Sequence, residues 1–234
     1  MEESNLYIEL LKHCVLDAIY DGLTQNRLYG KDWPIRAHTM IGKKRLDNIQ
    51  FCFEDVIKNN IDGDIIETGV WRGGACIFIK GLITYYKKNN KLFVADSFQG
   101  LPPPSGRYDA DKNDKHHTKD IFKVGLEEVK NNFLNYNLLD NNVIFLKGWF
   151  KDTLPTLINE KFSIVRLDGD MYESTIDSIN VLYPKLNIGG YLIVDDYIVL
   201  NGCQQAINDY RSKNNIKEDI INIDNTGVFW KKER

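Results

Sequence analysis

The stretch Asp64-Ile65-Ile66-Glu67-Thr68-Gly69-Val70-Trp71-Arg72-Gly73-Gly74-Ala75 narrows the folds open to this chain more than any other. A short apolar run, a glycine-containing turn and a helix from about Ala75 through Lys80 form the opening unit of a parallel α/β sheet that receives a nucleotide-like ligand. Strand-like runs recur at Lys91 to Asp96, Val143 to Leu146, Phe162 to Asp168 and Tyr191 to Val194. Between them, Val124 to Asn135 and a segment starting near Ser174 read as helices.

Ahead of the first strand, Asn5 to Tyr20 spaces Leu6, Leu10, Val15 and Ile19 as an amphipathic helix outside the sheet. Lys44 to Lys58 is a second helix, with Leu46, Ile49, Phe53, Val56 and Ile57 on one side. Trp33 to Gly42 is irregular but too apolar for an idle linker, so it covers something. Residues 1–60 are therefore expected to be a helical extension and lid, and 61–234 a single globular catalytic domain. Gly100 to Asp120 is rich in proline, glycine and charge and too long for a plain connector, which marks a mobile lid or substrate loop.

A chain of 234 residues that is 43% hydrophobic can bury its own core. A formal net charge of -3 gives no basic footprint, which argues against nucleic acid and against a membrane surface as partner. Without a signal-peptide pattern or a run of membrane-spanning length, the expected location is the cytoplasm. Cys14, Cys52, Cys76 and Cys203 lack CxxC spacing and read as buried free thiols. His116-His117 reads as a surface pair, not a metal site.

The strand ends carry the chemistry. Glu67 stands where the first strand stops, and a carboxylate there repels a pyrophosphate. This disfavours an NAD-type oxidoreductase, as does the absence of Gly-x-Gly-x-x-Gly in that turn. S-adenosylmethionine, with its sulfonium and free amino group, suits the turn better. Asp96 ends the second strand, where a carboxylate accepts ribose hydroxyls. An aromatic turn, Gly148-Trp149-Phe150, follows the third and offers an adenine platform. The last two apolar strands stop at Asp168 and at Asp195-Asp196. A right-handed crossover makes them neighbours, so three carboxylates converge on one small volume. A hard divalent ion, Mg²⁺ above all, relieves their repulsion and leaves coordination positions for two substrate oxygens. A non-catalytic module with structural Ca²⁺ is the rival reading. The final pair, Asp219 to Ile223 and Val228 to Trp230, is an antiparallel ribbon that completes the sheet of a class I, Rossmann-like methyltransferase with helices on both faces.

Five ordered blocks, Glu67 to Gly74, Ala95 to Pro102, Gly148 to Pro155, Leu167 to Thr175 and Val194 to Tyr197, together resemble the macrocin O-methyltransferase family, metal-dependent enzymes of antibiotic sugar tailoring. The likeness runs from about Thr39 to about Arg211. It implies methyl transfer from S-adenosylmethionine to a sugar hydroxyl of a small-molecule acceptor, with Mg²⁺ on Asp168, Asp195 and Asp196. It also implies cofactor contacts from Thr39, Met40, Glu67, Thr68, Gly69, Val70, Trp71, Asp96, Ser97, Phe98, Gly100, Gly148, Trp149 and Asp168. Relatives further imply a homo-oligomer built through the N-terminal segment. Asp168 is the first candidate for general base, with Asp170 and His116 as alternatives. A catechol or other vicinal diol would present the same oxygens to the metal and is the alternative acceptor.

Overall fold

The computed structural model describes residues 5–234. In chain order its main elements are α1 (Leu6–Val15), α2 (Gln25–Tyr29), α3 (Lys43–Lys58), β1 (Asp64–Thr68), α4 (Gly74–Tyr85), β2 (Leu92–Asp96), α5 (Leu126–Asn135), β3 (Val143–Lys147), α6 (Phe150–Thr153), β4 (Phe162–Leu167), α7 (Tyr172–Leu182), β5 (Leu186–Val194), α8 (Asn201–Lys213), β6 (Ile221–Asn222) and β7 (Val228–Lys231). The seven strands form one sheet in the order β3-β2-β1-β4-β5-β7-β6. β1 to β5 are mutually parallel, and β7 pairs antiparallel with both β5 and β6. This is the expected class I methyltransferase sheet, with the C-terminal ribbon where the sequence puts it.

Strand order reverses between β1 and β4, so a crevice opens beyond their carboxyl ends. β1 and β4 are buried on both faces, which is why they read as continuous apolar runs and not as alternating ones. The helix after β1 is buried on nearly every side for a related reason: Gly74 through Ile83 of α4 are all buried, Lys80 among them. One side faces the sheet, and α1 lies against the other. Gly81 permits that approach, since a Cβ there would overlap the Leu11 side chain.

The first helix departs from expectation. It ends at Val15 and not Tyr20, with Asp17 at a φ of 55° turning the chain. Ile8, Leu11 and Val15 face inward, whereas Leu6 and Leu10 are exposed. Two overlapping stripes of helical period exist in this segment, and the one that meets Gly81 of α4 wins. α3 follows the expected stripe, burying Leu46, Ile49, Phe53 and Val56, but it buries Arg45 as well.

The long 100–122 segment holds three short 3-10 turns, at Asp109–Asp111, His116–Thr118 and Asp120–Phe122. Asp111 ties it down: its two carboxylate oxygens accept from the backbone N–H groups of Tyr172 (2.7 Å) and Glu173 (2.9 Å) at the start of α7. Trp71 Nε1 donates to the Ile121 carbonyl at 2.7 Å, fixing the other end against the β1 turn. No described helix is long and apolar enough to cross a membrane.

Candidate active site

Because β1, β2, β3, β4 and β5 run the same way, their carboxyl ends share one edge, and a cavity of about 860 Å³ opens there. Glu67, Asp96, Asp168, Asp170, Asp195 and Asp196 all line it. Thr39, Met40, Gly69, Val70, Trp71, Ser97, Gly100, Gly148, Trp149 and His116 line it too. Thr68 and Phe98 are the exceptions among the expected contacts. Thr68 is fully buried, its Oγ1 3.4 Å from the Arg166 carbonyl, and Phe98 packs its ring against Phe145 in the core. Alternation along β1 turns Thr68 away, and the turn after β2 spends Phe98 on packing, leaving its backbone N–H for Asp96.

The turn after β1 is shaped by contact between backbones. Gly69 has a φ of +85°, and a Cβ on it would overlap the Asp168 carbonyl oxygen. Its N–H donates to Ala95 at 2.9 Å, while Asp168 N–H donates to Thr68 at 2.8 Å, so β2, β1 and β4 are stitched together at their ends. Asp96 joins two turns, accepting from Val70 N–H (2.8 Å) on one oxygen and from Phe98 N–H (2.7 Å) on the other. Burial raises its pKa from the ordinary carboxylate value, and these backbone donors oppose the rise. On the opposite wall Arg27 of α2 gathers the carbonyls of Thr39, Met40 and Ile41 at 3.1, 3.2 and 2.8 Å, which sets the shape of the loop before α3. Trp33 of that loop meets Phe122 edge-on at 5.8 Å, so the N-terminal loop and the 100–122 segment form a continuous rim.

Below the cavity lies a ladder of buried charge. β1 and β4 pair with Glu67 opposite Arg166, and Arg166 is 1% exposed. Its Nη1 donates to Glu67 and, at 2.9 Å, to Asp168; its Nη2 donates to Asp195. Asp195 receives a second guanidinium from Arg45, whose Nε lies 3.0 Å from Asp224 in the turn between β6 and β7. Glu67 also accepts from the Cys76 thiol at 2.7 Å. Burial opposes the charge of Arg166, but Asp195, Glu67 and Asp168 hold its pKa well above the usual value. Burial pushes the pKa of Glu67 up, and Arg166 counteracts it. Neither arginine is among the residues singled out from sequence. Arg166 has a signal, a charged residue inside the apolar run Phe-Ser-Ile-Val-Arg-Leu, which must find buried partners.

Asp168, Asp195 and Asp196 each bring one carboxylate oxygen into a group whose members lie within 4.8 Å of one another. Burial and the neighbouring carboxylates push Asp168 and Asp196 well above the usual range, and Asp170, hydrogen-bonded to Asp196, is raised to about 7. Two arginines do not neutralise this set, and hard oxygens at this spacing suit a divalent cation of the Mg²⁺ type. Asp195 fits with one condition: both its oxygens already accept from guanidinium groups, so only their remaining lone pairs are free. His116 is fixed otherwise, its Nδ1 2.6 Å from Asp114.

Comparison with known proteins follows the same lines. The demethyldecarbamoylnovobiocin O-methyltransferase of Streptomyces niveus is 44% identical, the match covering 99% of this chain and 95% of that protein. The 8-demethyl-8-(2,3-dimethoxy-alpha-L-rhamnosyl)-tetracenomycin-C 4'-O-methyltransferase of Streptomyces olivaceus is 43% identical over 97% of this chain and 92% of its own. The solved structure of the O-methyltransferase NovP superposes with a TM-score of 0.93 at 46% identity, covering 98% of this chain and 99% of that one. The family profile described as Macrocin-O-methyltransferase (TylF) matches residues 20–232, well beyond the Thr39 to Arg211 span of the sequence blocks. With sheet, crevice and strand-end acids all in place, the chain belongs to the macrocin O-methyltransferase family and is an O-methyltransferase.

Proposed function

We propose that the chain transfers the methyl group of S-adenosylmethionine to a hydroxyl of a sugar-containing small molecule, with Mg²⁺ held by Asp168, Asp195 and Asp196. The observation that carries this reading is one crevice with two acidic ends, Glu67 and Asp96 at the β1 and β2 termini and the three-carboxylate group at those of β4 and β5. A relative whose name specifies a rhamnosyl 4'-O-methylation supports a sugar as acceptor.

In this reading Glu67 faces the positive groups of the methyl donor, Asp96 its ribose, and Trp149 its adenine. Thr39, Met40, Gly69, Val70, Trp71, Ser97, Gly100 and Gly148 shape the walls around it. Bound Mg²⁺ supplies the Lewis acidity that makes a neutral sugar hydroxyl easier to deprotonate. Asp168 accepts the hydroxyl proton on a carboxylate oxygen, with Asp170 and His116 the other candidates for that role. Glu67, Asp96 and the 100–122 roof hold donor and acceptor in line and exclude water, so positioning supplies most of the acceleration. Residues 1–60 act as the lid of a 61–234 catalytic domain. Assembly into a homo-oligomer through α1 belongs to the same proposal; Leu6 and Leu10 are exposed there, and Tyr7 stacks on Tyr85 at 5.7 Å. A cytoplasmic location completes it.

The test is calorimetric titration of metal-stripped protein with S-adenosylmethionine, before and after Mg²⁺, followed by methyl transfer from labelled donor to a panel of glycosides and catechols. Micromolar donor binding and Mg²⁺-dependent labelling of a glycoside are expected. Absence of donor binding under both conditions sinks the reading, and labelling of catechols alone moves the acceptor to the diol class.

A further inference from the structure

Arg166 sits between the two ends of the crevice. One guanidinium, 1% exposed, donates through Nη1 to Glu67 on the methyl-donor side and to Asp168 on the metal side, and through Nη2 to Asp195. Its Nε has no partner, so the group is held entirely by these three carboxylates. Donation to two acceptors from one nitrogen divides a fixed positive charge. Whatever draws Nη1 towards Glu67 loosens its hold on Asp168, and whatever relieves Glu67 tightens it. Burial makes this division strong, because little water enters to screen it.

Resting on the donor and metal assignments proposed above, we infer that Arg166 is a positioning residue that couples the methyl-donor subsite to the metal subsite. It orients Glu67 at one and the Asp168–Asp195 pair at the other, and each subsite feels the charge state of its neighbour through this one side chain. Binding free energies linked in this way are reciprocal: donor affinity responds to metal, and metal affinity responds to donor. Asp96 is the contrasting acid. It lines the same donor side, but its oxygens are taken by Val70, Phe98 and Ser97, not by Arg166.

The inference has a readout independent of turnover. Mn²⁺ and Mg²⁺ affinities are measured by calorimetry with no donor present, and S-adenosylmethionine affinity with and without Mg²⁺, for the wild type, Glu67→Gln, Asp96→Asn and Arg166→Lys. Glu67→Gln removes a carboxylate that competes for Arg166, leaves the guanidinium to Asp168 and Asp195, and should weaken metal binding roughly tenfold. Asp96→Asn should leave metal affinity at the wild-type value while weakening S-adenosylmethionine binding. Arg166→Lys, whose single nitrogen cannot reproduce the planar two-nitrogen fork that reaches Glu67, Asp168 and Asp195 together, should reduce the effect of metal on donor affinity towards none. Wild-type metal affinity in Glu67→Gln, or an equal loss in Asp96→Asn, overturns the coupling role while leaving the proposed reaction intact. Failure of the wild type to bind either cation ends both. Should Arg166→Lys not fold, the Glu67→Gln and Asp96→Asn pair decides the matter alone.

Discussion

Arg45, on α3 ahead of the sheet, donates to Asp195, which follows β5, across 150 positions of sequence. The same guanidinium lies 3.0 Å from Asp224, so one buried arginine joins the N-terminal segment, the strand-end acids and the last β-turn. Asp195 and Asp224 are 4% and 3% exposed; Asp195 shares Arg45 with Arg166, whereas Asp224 has its countercharge from Arg45. Arg45→Ala should therefore destabilise the protein by about 3–5 kcal/mol, the usual cost of leaving a buried charge without its partner. That corresponds to a fall of about 10 °C in Tm for a chain of this size. Calorimetric melting checks it, and a shift under about 2 °C would show that Arg45 is not structural.

Gly69→Ala tests the contact between backbones at the β1 turn. Its φ of +85° and the overlap of any Cβ with the Asp168 carbonyl oxygen leave no unstrained position for a side chain. The strain should cost about 1–3 kcal/mol. Because Val70 N–H donates to Asp96 one residue further on, the displaced turn should also lose S-adenosylmethionine binding. Equal donor affinity in mutant and wild type, read by titration, rejects the role assigned to this turn.

Much of this was open to sequence reading because the parallel strands are buried on both faces and end in acids, so apolar runs and their terminal residues marked both the sheet and its chemistry. Glu67, Asp96, Asp168, Asp195 and Asp196 could be placed at one edge for that reason. What stayed hidden depends on partners far away in the chain. Arg45 reads as one more charged residue on an amphipathic helix until Asp195 and Asp224 are seen to surround it. The face of α1 could not be chosen between two stripes of equal period without knowing that Gly81 awaits on α4. Thr68 and Phe98 lie within matching blocks, yet alternation and core packing turn their side chains away from the crevice.

Asp111 anchors the roof segment to α7 through two backbone N–H groups. Asp111→Ala should cost about 1 kcal/mol, as loss of a helix cap does. Catalysis should suffer differently: with the roof unpinned, the acceptor KM rises while the dissociation constant for S-adenosylmethionine stays unchanged. Steady-state kinetics beside calorimetry separates the two, and an unaltered acceptor KM would remove the 100–122 segment from acceptor binding.

Metal removal should make stability depend on pH in a direction set by the strand-end acids. Asp168, Asp170 and Asp196 all have pKa values raised in the folded state, Asp170 to about 7, by burial and by neighbouring carboxylates. A raised folded pKa means that the native state holds protons which the unfolded chain releases near the ordinary carboxylate value, about 4. The Asp170 contribution to stability is thus complete below about pH 4 and is lost as pH rises through about 7, and those of Asp168 and Asp196 are lost in the same direction as pH rises. A divalent cation substitutes for those protons, so its stabilising effect should grow over the same window. In chelator, Tm should fall relative to the Mg²⁺-loaded protein as pH goes from 5 to 7.5. At pH 7.5, Mg²⁺ at about 100 times its dissociation constant should restore about 2.7 kcal/mol, or about 5–10 °C. His38, whose pKa is lowered by burial, contributes the opposite slope, but equally with and without metal, and cancels in the difference. Asp170→Asn should reduce that difference, because one of the three raised acids, the one near 7, is gone. A Mg²⁺ increment that is the same at pH 5 and pH 7.5 would show that the strand-end acids do not exchange protons for metal.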